Sequence, residues 1–387
     1  MNEIKKITVA IPGAPHEYEI KIGTNILPEL GQFTRKCVGR KTTRVCLISN
    51  RKIFGFYGGT ARQSLEDADF EVSIFLMPDG EKHKNLRVLE KVLAFFSEKR
   101  LTRSDAVVAL GGGVVGDLAG FASAIFGRGL PFIQVPTTFL AQIDSSVGGK
   151  TAVNTVFGKN LIGAFHQPHG VLIDITTLKT LPLREMRAGL YEAVKQGAIA
   201  SRILFDQTQD ILQRFPPRNF RRDFENEHFL FELQNLIAAN IAFKAGIVSG
   251  DERENVERED SRSRRILNFG HTVGHALEKV TLYKRFKHGE AVGLGMRAAA
   301  EISNRIGKIS KHELNLFSDV VESVGKLPQA DNIDPEIVIK AFSHDKKTVG
   351  DSFKWILLDG IGRAAITDNN NIPENIVREA VSSVLRQ

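Results

Sequence analysis

The sequence predicts two domains: an α/β domain with an open parallel sheet over residues 1–177, and a mainly α-helical domain over residues 178–387. Three observations predict this. Short continuous apolar runs alternate with helix-like segments up to about residue 175, the pattern of strands covered by helices on both faces. From Leu183 to about Ala341 the periodicity becomes helical throughout. A glycine-rich turn, Gly111-Gly-Gly-Val-Val-Gly-Asp117, joins one apolar run to a helix-like segment, where open α/β sheets place a ligand loop.

Taken in order, Lys6–Ile11 and Tyr18–Gly23 alternate around a Pro-Gly turn and predict an N-terminal β-hairpin. The apolar runs Arg44–Asn50, Glu71–Met77, Ala106–Leu110, Phe132–Val135 and Val171–Ile175 predict parallel strands. Between the second and third of these, Asn85–Lys99 places Leu86, Leu89, Val92, Phe95 and Phe96 at helical spacing. In the second domain the helical segments are Arg187–Leu212, Phe229–Val248, His271–Val280, Ala291–Arg305 and Leu314–Val324. Pro216-Pro217 stops the first of them, and Arg218–Glu227 reads as a polar connection. Lys354–Ile366 predicts a late hairpin packed on the helices.

A chain of 387 residues with 42% apolar and 25% charged residues has the composition of a globular protein with a large core. The net charge of +7 is compatible with nucleic-acid binding or with a site for small anions. The basic residues are dispersed, no aromatic-interleaved basic stripe occurs, and the densest cluster, Arg262–Arg265, adjoins a histidine-rich stretch. A local anion site is therefore expected, with no nucleic-acid partner. Cys37 and Cys46 are the two cysteines and form no CxxC pair, which points to a reducing, cytoplasmic setting. No signal core follows the first charges, and the run Ala106–Phe126 carries Asp117 and several glycines, so no membrane partner is expected.

Three of the ten histidines lie in the 25-residue stretch around His271, His275 and His288. His271 and His275 stand one helical turn apart on one face, and with His288 nearby they half-build a metal site. The plain alternative is a helix with scattered, hydrogen-bonded histidines. The motif lacks the glutamate of H-E-x-x-H, so a metal here needs another ligand and another chemistry. Glu192 and Lys195 share a helical face, as a surface ion pair or as a further metal ligand beside a substrate lysine. The glycine turn fits phosphate at a helix N-terminus or simply tight packing. Pro78–Lys84 and Pro136-Thr137-Thr138 also end predicted strands, and three polar loops in that position fit a dinucleotide. Gln142–Lys150 and Asn154–Asn160 add lysine and amide groups suited to phosphate or carboxylate oxygens.

Read together, these segments closely resemble the 3-dehydroquinate synthase family of sugar-phosphate cyclases. The matching text includes GGGVVGDLAGFASAIFGRG, VPTTFLAQIDSSVGGKTAVN, GKNLIGAFHQP, LNFGHTVGHALE, KHGEAVGLGM and SHDKKTVG, in order, over roughly residues 70–360. The resemblance implies a Rossmann-like NAD-binding domain followed by a helical metal- and substrate-binding domain. It implies a metal, zinc with cobalt as the alternative, on Glu192, His271 and His288. His275 then becomes a residue that binds the substrate phosphate and takes part in proton transfer. Asp144, Lys150, Lys195 and Asn268 match catalytic positions, and Asn160, Lys244 and Arg264 match substrate contacts, with Lys346 or Lys347 completing the phosphate site. Arg128 matches an arginine supplied across a dimer interface, which implies a homodimer. NAD contacts are implied for Asp79, Gly80, Glu81 and Lys84; for Gly113, Val114, Val115, Gly116 and Asp117; for Thr137 and Thr138; for Lys150 and Lys159; and for Thr177, Leu178, Lys179 and Thr180.

The implied reaction turns 3-deoxy-D-arabino-heptulosonate 7-phosphate, a small anionic sugar phosphate, into 3-dehydroquinate and phosphate. It runs through transient oxidation by NAD, phosphate elimination, reduction, ring opening and aldol closure, with no net redox change. Such chemistry requires the dinucleotide loop, the metal ligands and the anion pocket to serve one cleft. Two departures stand out. Family members join their acidic DE-R-E segment to the substrate arginine by a short glycine-containing link. Here Asp251-Glu-Arg-Glu254 is followed by the longer, charged Asn255–Ser263, although the spacing from Arg264 to Asn268 is kept. Tyr191 stands where many members carry a small residue, which predicts local repacking beside Glu192 with metal binding retained. The rival expectations are a cyclase acting on another sugar phosphate and a metal-dependent polyol dehydrogenase; the set Lys150, Asn160, Arg264 and Lys346 argues against the latter.

Overall fold

A computed structural model describes residues 4–9, 17–347 and 354–386; the side chains of 343–347 lie outside the described part. The chain divides into two compact units. The first comprises Met1–Leu181 and Asn226–Ser249, the second Pro182–Glu225 and Gly250–Gln387. The expected single cut at 177/178 misses the return of residues 226–249 to the first unit. That segment is the long helix Glu227–Gly250, whose periodicity alone does not reveal which neighbours bury it.

The first unit is built on a seven-stranded sheet. Its strands are β1 (Lys5–Val9), β2 (Tyr18–Gly23), β3 (Arg44–Asn50), β4 (Glu71–Met77), β5 (Ala106–Gly111), β6 (Phe132–Pro136) and, after a separate hairpin of β7 (Lys150–Thr155) and β8 (Gly158–Phe165), β9 (Gly170–Asp174). The order is β1-β2-β9-β6-β5-β3-β4, antiparallel between β1 and β2 and parallel elsewhere. The N-terminal hairpin pairs as expected; its Pro-Gly turn lies outside the described residues.

Alternation along the strands sorts the core into two layers. Cys46, Ile48, Val107 and Ala109 pack with Leu89, Val92 and Phe96 of the helix Leu86–Glu98 and Leu118 of the helix Gly113–Ile125. Val45, Leu47, Val108 and Leu110 pack on the opposite face with Leu30 and Phe33 of the helix Leu30–Val38 and Leu65 of the helix Gly59–Asp67. Period-2 strands with both faces buried read as the continuous apolar runs seen in the sequence. β3 leads on to β4 at one side, and the chain then crosses back to β5 on the other side of β3, which creates a topological switch point at the carboxyl ends of β3 and β5.

The second unit is helical, with the helices Leu183–Ala200, Arg202–Arg214, His271–Val280, His288–Arg305, Lys311–Val324, Pro335–Lys347 and Glu374–Leu385. The hairpin of β10 (Lys354–Leu358) and β11 (Ala364–Asp368) joins them, Leu358 donating its amide to Ser303 Oγ at 3.0 Å. Three expectations need correction. The segment Arg187–Leu212 is two helices, because Ser201 is extended (φ −168°) and its hydroxyl caps the second by accepting from Leu204 N. The later helix starts at His288 rather than Ala291, because Glu290 reaches back to accept from the Lys287 amide at 2.8 Å. Of the stretches Gln142–Lys150 and Asn154–Asn160, read as polar loops, Lys150 and Asn154–Asn160 belong to the β7–β8 hairpin, whose Val156, Phe157 and Leu161 are strongly exposed.

Small residues let these helices approach closely. A Cβ on Gly289 would lie 1.8 Å from the Ala188 carbonyl oxygen, and one on Gly295 would lie 2.0 Å from the Gly270 carbonyl oxygen. A Cβ on Gly246 would meet nothing within 4 Å. Gly289→Ala is therefore expected to destabilise the protein by roughly 1–3 kcal/mol through overpacking. Gly246→Ala, inside a helix, is expected to be neutral or to stabilise by up to about 1 kcal/mol. Thermal melting of the two variants checks this; a Gly289→Ala protein melting like the parent contradicts the close approach.

Candidate active site

The histidine cluster belongs to the second unit, and its geometry follows from how two helices begin. His271 opens its helix directly after Gly270, which is left-handed (φ 78°) and whose Cβ would meet Met296 Cγ at 2.5 Å. Glycine answers both demands. His275 follows one turn later on the same face. His288 opens the next helix, whose first turn is fixed by Glu290 through Lys287 N and through Arg184 on the Leu183–Ala200 helix, the latter at 2.6 and 2.7 Å. Ring centroids of His271 lie 5.1 Å from His275 and 5.2 Å from His288, with 5.7 Å between the latter two. One ligand atom from each of the three lies within 4.8 Å of the others.

Glu192, on the facing helix, is 1% exposed. Its Oε1 lies 3.9 Å from His271 Nε2 and 3.7 Å from His288 Nε2, with no hydrogen-bond partner. Its Oε2 pairs with Lys195 Nζ at 2.5 Å, and Lys195 is 2% exposed. The i,i+3 pair is thus interior, not a surface ion pair. An orphaned carboxylate oxygen facing two imidazoles costs free energy unless a cation occupies the space. Ligand atoms around tetrahedral zinc are about 3.3 Å apart, from metal–ligand bonds of ~2.0–2.1 Å. The two Glu192–His separations come within several tenths of an ångström of that, so these residues fit a metal.

Each of these two rings is held by its other nitrogen. His271 Nδ1 is 3.1 Å from the Phe269 carbonyl oxygen, and His288 Nδ1 is 3.0 Å from Glu278 Oε2. Both contacts favour the tautomer that leaves Nε2 unprotonated toward Glu192. Burial, and then the Lys195 charge, push the His271 pKa well below the ordinary imidazole value, which keeps it neutral. Burial also opposes the charged form of His288, but the Glu278 carboxylate and then that of Glu192 act the other way, and the net direction is upward. Between the two histidine helices, Leu282 (φ 52°) and Tyr283 (φ 58°) are consecutive left-handed non-glycine residues, each costing about 1–2 kcal/mol. Tyr283 nevertheless donates its amide to the Glu278 carbonyl at 2.7 Å, closing the helix that carries His271.

The departures from the family pattern are accommodated within this unit. The charged connection folds back on Asp251, which accepts from Asn255 N at 2.8 Å and from Arg264 N at 2.7 Å. The Arg264 guanidinium donates to the Glu252 carbonyl and is 3% exposed. Asn268 Nδ2 donates to Glu254 Oε1 at 2.9 Å. Arg264 and Asn268 thereby approach the His271 helix as a folded segment despite the longer link. Tyr191 is 1% exposed, and its hydroxyl donates to the Gly325 carbonyl at 2.7 Å. The side chains of Lys346 and Lys347 lie outside the described residues.

In the first unit, the expected nucleotide residues sit at carboxyl ends of strands: Asp79 and Gly80 after β4, Gly113–Asp117 after β5, Thr137 and Thr138 after β6, and Thr177, Leu178, Lys179 and Thr180 after β9. The Gly113–Ile125 helix has no side-chain cap. A Cβ on Gly112 would come within 2.8 Å of Thr138 Cγ2, and one on Gly113 within 3.0 Å of Ser145 Oγ. An uncapped helix N-terminus lined by glycines suits a pyrophosphate. Lys84 is buried and donates to Asp117 Oδ2 at 2.7 Å and Asn160 Oδ1 at 2.6 Å. Burial opposes its charge, but Asp117 and then Glu81 hold its pKa above the ordinary lysine value. Thus Lys84, Asp117 and Asn160 form one network, which ties β8 to the loop after β4. Thr177 spends its hydroxyl on the Asp174 carbonyl at 2.7 Å, and Val115 and Leu178 are buried, so their side chains pack.

Asp144 and Lys244 also meet in this unit. Lys244 Nζ is 2.9 Å from Asp144 Oδ1 and 2.6 Å from its carbonyl oxygen. Lys244 is carried by the Glu227–Gly250 helix, which groups with the first unit. Lys150, the first residue of β7, is exposed, and Lys159 stands in β8. Arg128 is exposed with φ 67° and joins none of these groups. Sequence reasoning missed several supporting residues. Glu278, three positions after His275 on the same helical face, carried a usable signal. Asn50, which donates to Asp79 at 3.1 Å, and Tyr57, whose hydroxyl donates to the Thr177 carbonyl at 2.8 Å, carried none.

The N-terminal domain model of 3-dehydroquinate synthase matches residues 74–188, and its C-terminal domain model matches residues 189–348. The 3-dehydroquinate synthase of Nostoc punctiforme is 40% identical over 382 residues, covering 98% of this chain and 99% of that protein. That of Pelotomaculum thermopropionicum is 41% identical over 379 residues, covering 97% and 96% respectively. Among solved structures, 2-deoxy-scyllo-inosose synthase complexed with carbaglucose-6-phosphate, NAD+ and Co2+ is 26% identical with a TM-score of 0.82, over 98% of this chain and 99% of that one. Glycerol dehydrogenase from Schizosaccharomyces pombe, 14% identical with a TM-score of 0.63 over 94% of this chain and 87% of that one, shares the fold alone. With both domain models matched in order and near-complete relatives at this identity, the chain belongs to the 3-dehydroquinate synthase family.

Proposed function

We propose that the chain converts 3-deoxy-D-arabino-heptulosonate 7-phosphate to 3-dehydroquinate and phosphate, a lyase reaction of the shikimate route to chorismate and the aromatic amino acids. The observation that carries this reading is the near full-length identity of 40% to 3-dehydroquinate synthases. Glu192, His271 and His288 would hold the divalent metal, zinc or cobalt, and the orphaned Glu192 Oε1 supports that set over the three histidines together. When bound, NAD would supply reversible hydride acceptance and the metal would supply Lewis-acid polarisation of a substrate oxygen.

The chain's own residues bind, orient and move protons. Lys195 balances the buried Glu192 charge and presents its ammonium to a substrate oxygen. His275, exposed beside the two ligand rings, binds the departing phosphate and takes up or delivers its proton. Asp144, held by Lys244, accepts from a substrate hydroxyl, and Lys150 and Asn160 add anion and amide contacts. Arg264, Asn268 and Lys346 or Lys347 take the phosphate and carboxylate charges, consistent with the chain's surplus of basic residues. NAD would lie on the uncapped Gly113–Asp117 turn, with Asp79–Lys84, Thr137-Thr138, Lys150, Lys159 and Thr177–Thr180 around it.

The functional form is a homodimer in which Arg128 reaches the partner's substrate, and the exposed Val156, Phe157 and Leu161 supply an apolar face of the kind a second copy covers. Among the described residues no helix is long and apolar enough to cross a membrane. Both cysteines are free, and burial pushes each thiol up to about 12, so neither is a reactive thiolate. Cytoplasmic residence fits these features.

Metal-loaded protein given the heptulosonate phosphate and substoichiometric NAD+ is expected to release phosphate and dehydroquinate in equal amounts without accumulating NADH. Turnover of a different sugar phosphate, with none of this one, would replace the assignment with that of another cyclase. His271→Ala and His288→Ala are each expected to weaken metal binding about 100-fold or more, since even outer partners of ligands are worth ~10–100-fold. His275→Ala is expected to keep its metal and lose turnover. Metal analysis after dialysis checks both; metal loss from His275→Ala with retention in His271→Ala would exchange the two roles.

A further inference from the structure

We infer that Glu278 is the positioning residue for His288, and that its carboxylate sets the orientation and donor strength of that imidazole toward the metal. The inference rests on the reading of His288 as a ligand. Glu278 is 2% exposed and meets His288 Nδ1 at 3.0 Å, while His288 Nε2 faces Glu192 Oε1 at 3.7 Å. A carboxylate on Nδ1 makes that nitrogen the donor, leaves the Nε2 lone pair outward, and strengthens it as a ligand.

The two ligand rings are therefore not equivalent. His271 leans on a neutral backbone carbonyl, His288 on a buried carboxylate. Glu278 itself is fixed at the end of the His271 helix, where its own carbonyl accepts from Tyr283 N across the left-handed pair Leu282 and Tyr283. Residues held in sparsely populated backbone regions persist where the surrounding structure over-determines them. Here the turn brings the chain from Glu278 to His288 within ten residues. On the other side, Gly289 against the Ala188 carbonyl and the Glu290 carboxylate accepting from Lys287 N leave the first turn of the His288 helix little freedom.

The test uses the full chain with zinc alone, titrated against a chromophoric chelator, and needs no turnover. Glu278→Gln keeps an acceptor of the same shape without the charge and is expected to bind zinc about 10-fold more weakly. Glu278→Ala removes both and is expected to approach a loss of about 100-fold. Substituting cobalt should shift the visible absorption bands in both variants, a signature that a merely structural role would leave in place. Unchanged circular dichroism in Glu278→Gln separates the effect from misfolding. Wild-type zinc affinity in both Glu278 variants, alongside loss in His288→Ala, overturns the inference while leaving the ligand reading intact. Wild-type affinity in His288→Ala overturns the ligand reading, and the inference with it.

Discussion

A carboxylate withdrawn from water must be matched by charge, and Glu192 is the group on which the second unit turns. At 1% exposure it cannot be hydrated. Lys195 compensates one oxygen; the other faces His271 and His288 without a partner. The isolated burial of such a group is costly, and removing one partner of a buried pair is costlier than replacing both. The arrangement makes sense when a cation completes it. Binding free energy from a metal at the proposed site would also favour the folded helices that carry these residues.

The rest of the unit is shaped by that demand. Imidazoles on two helix starts reach a carboxylate on a third helix only if the three backbones come close. Gly289 and Gly295 permit it, since each touches a backbone carbonyl that any side chain would strike. Arg184 and Glu290 then pin the His288 helix to the helix of Glu192. The first unit meets a different constraint. Its parallel strands converge their carboxyl ends on a glycine-rich, uncapped helix start, the setting in which backbone amides rather than side chains would meet the proposed dinucleotide's phosphates. Lys84 is spent on holding Asp117 and Asn160 together, so its charge organises the loops around that start.

Much of this was legible in the residue pattern. The limits of β3 and β4 and the helix His271–Val280 are those expected, because long apolar or helical periods survive tertiary context. The β7–β8 hairpin was not legible, since its glycines and polar residues read as loop and its exposed apolar side chains face no core of the described chain. The break at Ser201 hides inside a continuous helical period and is visible only as a cap. At the site, spacing brought His271 and His275 together but could not choose between a surface and an interior role for Glu192 and Lys195. Burial decides that question, and burial depends on contacts between helices far apart in sequence. Glu278 was missed for a similar reason: its position on the histidine face is local, but its partner is ten residues on, across a turn whose shape no residue type announces.

In the proposed metal site Glu192, not His275, completes the ligand set with His271 and His288. Anomalous diffraction at the zinc edge from crystals grown with zinc tests this directly. The expected result is one peak about 2.0–2.2 Å from a Glu192 carboxylate oxygen and from Nε2 of both His271 and His288, with His275 beyond bonding distance. A peak bonded to His271, His275 and His288, with Glu192 still paired only to Lys195, would contradict the account.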